Sequence, residues 1–264
     1  MQNHPGILQR CAALLAALVL TTSAARAEAA EQLQFSPWVD GGIAAGAAGL
    51  WLGLTSAAPD PELLGRPRSS APGGIDGWAP THVRGAWLDA SDTILVGSLA
   101  LGSVLTLADG LRDENVVAHA VIFAEALLVN GMVTDSTKQL VLRQRPYSYA
   151  EGVDDAGDLH SFFSGHTSWT ATASFAAARI FDLSGDLTTW ERIGLYGGAT
   201  ALTAGVGVAR VAGGMHFPTD VLVGGLVGAS IGLAVPELHR PDGWIFGGGA
   251  VPGGGVQLSL ATAL

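Results

Sequence analysis

The residues best equipped for chemistry in this chain are its only lysine, two arginines, two histidines and an aspartate, which fall in three short clusters. The first is Lys138-x6-Arg145-Pro146. On a helix, positions seven apart lie two turns apart on one face, so these two cations can converge, and Pro146 ends the element. The second is Ser164-Gly165-His166, followed at once by Thr167 and an apolar run. Ser, Gly and Thr at a helix start leave outward-pointing N–H groups that suit an anion. The third is Arg210-x5-His216-x3-Asp220, with Gly213-Gly214 inside it and Pro218 near the start of the next helix. A carboxylate four residues after an imidazole can reach one ring nitrogen and fix the tautomer. Taken singly, each cluster has an ordinary reading: a cation at a helix C-terminus, a helix cap, a local hydrogen bond. Their combination at loop–helix junctions points to one anion pocket furnished with titrating groups.

The elements that must position these clusters read as helices. Apolar helical segments are expected at about 41–58, 91–108, 115–143, 166–182, 190–210 and 217–236, with charged turns between them. With alternating helix direction, the ends after 143, before 167 and between 210 and 217 share one side of the bundle. The fold class expected is therefore all-α: a bundle of about six helices with the active site at one end. Residues 59–84, with five prolines and Gly73-Gly74, read as an irregular connection. In the tail, Trp244 to Ala250 and Val256 to Leu260 flank Pro252-Gly253-Gly254-Gly255 and suit a β-hairpin. The domain plan is a signal peptide over 1–27, an N-terminal helix and Pro/Gly-rich connection over 28–90, a catalytic domain over 91–238, and a Gly-rich tail over 239–264.

Composition narrows the function. The 264 residues carry 13 Lys+Arg against 23 Asp+Glu, a formal charge of −10, which disfavours a nucleic-acid partner. Only 14% of residues are charged and 48% are hydrophobic, which excludes a disordered chain. The 37 glycines imply closely packed helices. Arg10, the apolar run Cys11 to Leu20 and Ala25-Arg26-Ala27 have the order of a secretory signal peptide. Cleavage after Ala27 removes Arg10, Arg26 and no acid, taking the charge from −10 to −12, and removes the single cysteine. Export to the periplasm or cell envelope is expected. The charge-free runs of about 15–18 residues are short for membrane spans of ~17–25, and the inside loops show little basic excess. The chain therefore reads as a periplasmic bundle, with membrane embedding left open by its apolar composition.

The three clusters, in this order and at these separations, resemble the signature of the type 2 phosphatidic acid phosphatase superfamily, which includes bacterial acid phosphatases and vanadium haloperoxidases. The resemblance covers roughly residues 91–238. Phe163 stands where the family usually has Pro, and Ala209 where it usually has Ser, which removes a hydroxyl from the phosphate site. The resemblance implies a metal-independent phosphatase acting on phosphomonoesters or on lipid phosphates and diphosphates. Lys138, Arg145 and Arg210 would hold the phosphoryl oxygens. Ser164, Gly165 and the backbone of His166 would add fixed donors. His216 would be the nucleophile, Asp220 its orienting carboxylate, and His166 the acid and base. No cofactor or metal is implied; vanadate would act as a transition-state mimic. The partners expected are a phosphorylated small molecule or lipid, no nucleic acid, and membrane association as an option.

Other residues support weaker readings. Asp154, Asp155, Asp158 and His160 read as a solvated loop between the first two clusters, and His119 and Glu125 as a satisfied buried pair or packing residues. Trp169 is placed at the pocket mouth. Two alternatives stand beside the phosphatase: a vanadate-dependent haloperoxidase using the same pocket, and a structural envelope protein whose pocket is vestigial.

Overall fold

The computed structural model describes residues 32–56, 72–185, 187–240, 244–251 and 255–262, and among these described residues seven helices follow one another. They are α1 (Val39–Thr55), α2 (Gly85–Arg112), α3 (Val116–Val141), α4 (Ser148–Glu151), α5 (Gly165–Leu183), α6 (Thr189–Ala212) and α7 (Pro218–Leu238). The six long ones coincide with the six apolar segments, and the fold is all-α. Past α7 the backbone pairs Trp244–Val251 antiparallel with Gly255–Thr262, Gly248 lying opposite Leu258. The expected signal peptide and much of the Pro/Gly-rich connection lie outside the described residues.

Small side chains let α5 run through the middle, packed against α2, α3, α6 and α7. Its Ala171, Ala173, Ala176, Ala177 and Ile180 are buried. The closest approach is between α5 and α7, where glycines recur every fourth residue. A Cβ at Gly224 would stand 2.6 Å from the Ser164 carbonyl oxygen, and one at Gly228 2.2 Å from that of Ser168. Only glycine lets the two backbones touch there. The result matters for the site: Ser164 N donates to Asp220 O at 3.1 Å, locking the second cluster to the third.

The helix starts are set by chemistry local to the clusters. The Ser164 hydroxyl caps α5 by accepting from Thr167 N. Pro218 opens α7, and Asp220 turns back to accept from Phe217 N at 2.8 Å. At the other end of α3, Leu142 adopts φ 47°, ψ 48° and stops the helix.

Three helices, α2, α3 and α7, are long and apolar enough to cross a membrane, with mean hydropathies of 1.8, 1.9 and 1.8. The expectation from charge-free runs came out shorter because acids interrupt the sequence at Asp109 and Glu125. Both are buried. Their charges face the interior, and the outer surface of these helices keeps Val96, Leu111, Val117, Leu222 and Leu226 exposed.

Candidate active site

His216 is buried, at 1% exposure. Its Nδ1 lies 2.7 Å from the Ser161 carbonyl oxygen. A carbonyl only accepts, so Nδ1 carries the proton and Nε2 keeps its lone pair. This corrects the reading of the His-x3-Asp spacing. Asp220 stands 3.7 Å from Nδ1, beyond a hydrogen bond. His216 precedes the α7 cap and is not on the helix, so the spacing of four is not a helical one. Asp220 instead accepts from the Ser161 hydroxyl at 2.6 Å, from Phe217 N and from Arg143 Nη1 at 2.5 Å. It holds Ser161, and Ser161 holds the imidazole.

The cations gather around this ring. Lys138 lies in the last turn of α3, against the first turn of α5. A Cβ at Gly165 would stand 3.1 Å from Lys138 Nζ, so the glycine makes room for the ammonium. Asp135, 3.5 Å from Nζ, partly balances it. Arg145 is not on the Lys138 helix face, as the spacing suggested; it lies in the segment after α3 ends. It is aimed by its own donors, Nε to Gly157 O at 2.7 Å and Nη1 to Met215 O at 3.2 Å. Arg210, in the last turn of α6, donates to Ser91 Oγ at 3.3 Å. A serine on α2 thus meets this arginine beside Ala209, where the sequence lacks a hydroxyl. Burial pushes the His216 pKa well below its ordinary value, and Arg145, Arg210 and Lys138 push it the same way. The ring is neutral at physiological pH and has a free lone pair facing positive charge.

His166 is more open than His216, its side chain 30% exposed, with Nε2 2.8 Å from Asp92 Oδ1. Its pKa is lowered to about 4, first by burial and then by Arg210, while Asp92 works against both. Ser164, wholly buried, keeps its hydroxyl on the Thr167 cap.

Two carboxylates at the site carry no sequence signal. Asp92 comes from α2, and Asp76 from a short 3₁₀ turn, Gly74–Trp78, inside the Pro/Gly-rich connection. Asp76 accepts from Arg143 at 2.7 Å and from Thr219 N at 3.0 Å, tying that connection to the start of α7. Arg143 is therefore a strut between Asp76 and Asp220, stacked 4.3 Å over Phe217. The acidic loop is not a solvated one throughout. Asp158 is buried, accepting from Tyr147 and from Asp154 N, and Asp155 caps a 3₁₀ turn. Trp169 packs on Trp51 at 5.4 Å. His119 and Glu125 are not a pair: His119 faces Asp109 at 3.6 Å, and Glu125 faces His239 at 3.3 Å.

The model of the PAP2 superfamily matches residues 119–244, a span that includes all three clusters. No curated protein and no solved structure matches the chain. The PAP2 match covers α3 to α7, and α2, which lies before it, supplies Ser91 and Asp92. The match is to a superfamily of phosphatase-type chemistry on phosphorylated substrates and does not choose among substrates.

Proposed function

We propose that this chain is a membrane-embedded phosphatase that removes the terminal phosphate of a lipid phosphate or diphosphate through a phosphohistidine on His216. One observation carries the reading: a buried, neutral imidazole with Nδ1–H held by a carbonyl and Nε2 free, surrounded by Lys138, Arg145 and Arg210. The cations and the N–H groups at the start of α5 would hold the phosphoryl oxygens. Nε2 attacks phosphorus and forms an N–P bond while the P–O bond to the leaving group breaks. The leaving oxygen takes its electron pair and a proton from His166. Water then attacks phosphorus, the N–P bond breaks, and His166 receives the water's proton. Asp220 is a positioning residue that acts through Ser161. His166 is neutral in the free site, so the proton it donates arrives with a monoanionic phosphate or is drawn in when a dianion binds.

An apolar substrate is supported by a cavity of about 540 Å³ between α2, α5 and α6, lined by Leu101, Leu105, Phe181, Leu195 and Leu202 among others. Two of these helices, α2 and α6, bring Asp92 and Arg210 to the site. Ser98 on its wall lies six residues from Asp92, about 9 Å along α2, and Leu202 eight from Arg210, about 12 Å along α6. A hydrocarbon chain leaving the phosphate would meet this groove. The test is phosphate release, with and without detergent, from a lipid phosphate, an isoprenyl diphosphate and a soluble phosphomonoester. Preference for the two lipids is expected. Hydrolysis of the soluble ester alone would overturn the lipid assignment, and no release from any of the three would overturn the phosphatase.

A further inference from the structure

Far from the catalytic pocket, three side chains of ligand type meet with polar atoms left over. Asp40 at the start of α1, Glu125 within α3 and His239 just past α7 present one ligand atom each, all within 4.8 Å of one another. Glu125 lies 13 residues before Lys138, about 20 Å along α3, and His239 lies 19 after Asp220, about 28 Å along α7. The residues are 7%, 4% and 8% exposed. Glu125 Oε2 and His239 Nε2 are buried and face each other at 3.3 Å without good hydrogen-bond geometry. Buried polar atoms left without a well-made hydrogen bond are rare without a reason.

We infer that Asp40, Glu125 and His239 bind a divalent transition-series cation such as zinc, as a structural site separate from catalysis. The imidazole is prepared as a ligand. Its Nδ1 lies 2.7 Å from the Val235 carbonyl, which places a proton on Nδ1 and turns Nε2 toward the carboxylates, where a bound ion would take the place of a second proton. Asp40 is prepared in the same way: Oδ2 accepts from Ser36 N, and Oδ1 faces His239 Nε2 at 3.6 Å. The spacing fits an ion between the groups. Two ligand atoms each ~2.0–2.1 Å from a tetrahedral ion stand about 3.3 Å apart. Nε2 lies 3.3 Å from Glu125 Oε2 and 3.6 Å from Asp40 Oδ1. Charge also fits. One imidazolium would leave two buried carboxylates half compensated, whereas a divalent ion neutralises both. One imidazole with two carboxylates suits zinc better than calcium or magnesium, which prefer all-oxygen shells.

The second acidic cluster of this kind shows the difference. Asp109, Asp113 and His119 also converge, but Arg112 already pairs with both aspartates, and Ser184 donates to Asp109. A cation would be redundant there. At the His239 site, the bound ion would pin residues 33–40 across the end of the bundle, where Gln34 N already donates to His239 O at 2.9 Å and Asn115 to Leu33 O at 2.8 Å.

The test uses full-length, tag-free protein in detergent, stripped with a chelator, reloaded with Zn²⁺ and desalted. Bound zinc is measured by elemental analysis, and melting temperature with and without zinc. About one ion per chain and a higher melting temperature with zinc are expected. In Glu125→Gln and Asp40→Asn, zinc affinity should fall by more than the 10–100-fold typical of losing an outer-shell partner. His216→Ala should still take up one ion, which separates this site from the catalytic one. Wild-type protein that retains well under one ion and melts at the same temperature with and without zinc overturns the proposal and makes His239 a plain imidazolium between two acids. Since that result needs no variant, a failure of Glu125→Gln to fold does not blunt the test. Undiminished zinc binding in both variants overturns it equally.

Discussion

His216 and His239 make the same bond at opposite ends of the bundle. Each places Nδ1 2.7 Å from a backbone carbonyl, so each turns Nε2 inward. Around His216 the near charges are Lys138, Arg145 and Arg210. Around His239 they are Asp40 and Glu125. A lone pair facing cations is set to attack an electrophile whose negative oxygens those cations hold. A ring nitrogen facing carboxylates is set to share a cation with them, a proton or a metal ion. The imidazole is prepared in one way at both ends; the sign of its surroundings decides its chemistry.

The comparison breaks first at His216. His216→Ala should reduce phosphate release to background while leaving zinc uptake at one ion per chain, as read by phosphate assay and elemental analysis. Equal loss of both would mean that the two ends are not independent. His166→Ala should cost less, about 10²–10⁴-fold in kcat, and least with a good leaving group that needs no protonation. A uniform loss across leaving groups in a steady-state panel would remove His166 from the proton-transfer role.

Asp92 gives a smaller and signed effect. In the free site the pKa of His166 lies at about 4, and Asp92 is the group that raises it. The reactive complex holds one proton shared between His166 and phosphate. For a monoester, kcat/KM should fall as pH rises above about 6, the second phosphate pKa. It should fall again as pH drops below the His166 value, because His166 and the phosphate are then both protonated. Asp92→Asn removes the raising charge, so the acid limb should move to lower pH while the alkaline limb stays, with kcat lowered by about tenfold. An acid limb that moves upward would contradict the placement of Asp92 on His166. The smallest effect belongs to Asp76→Asn. It weakens a capping contact to Thr219 N and the strut through Arg143 and should cost about 1 kcal/mol, read as a lower melting temperature.

The sequence made the helices and the three clusters legible because both depend on local pattern: apolar runs between charged turns, and residue types at fixed spacing. What it could not reveal depends on contacts across the chain. Asp92 and Asp76 are ordinary acids until α2 and the Pro/Gly-rich connection fold against the clusters. The partner of His216 proved to be a main-chain carbonyl, which leaves no mark on residue identity. Spacing also misled where a helix boundary intervened: Asp220 caps its helix and does not bond His216, and Arg145 lies beyond the turn made by Leu142. Glu125 and His239 are 114 positions apart, so neither drew attention to the other.

The central claim, that His216 Nε2 becomes bonded to phosphorus, has a direct test. Purified His166→Ala and His216→Ala proteins are given an activated aryl phosphate carrying labelled phosphorus, quenched in alkali and mapped by peptide. In the His166 variant the N–P bond still forms, but its hydrolysis lacks a base, so acid-labile label should accumulate on the peptide containing His216. The His216 variant should carry none. Label trapped in the His216 variant and absent from the His166 variant would reverse the two roles, and label in neither, with both folded and binding phosphate, would contradict a covalent intermediate and favour direct attack by water.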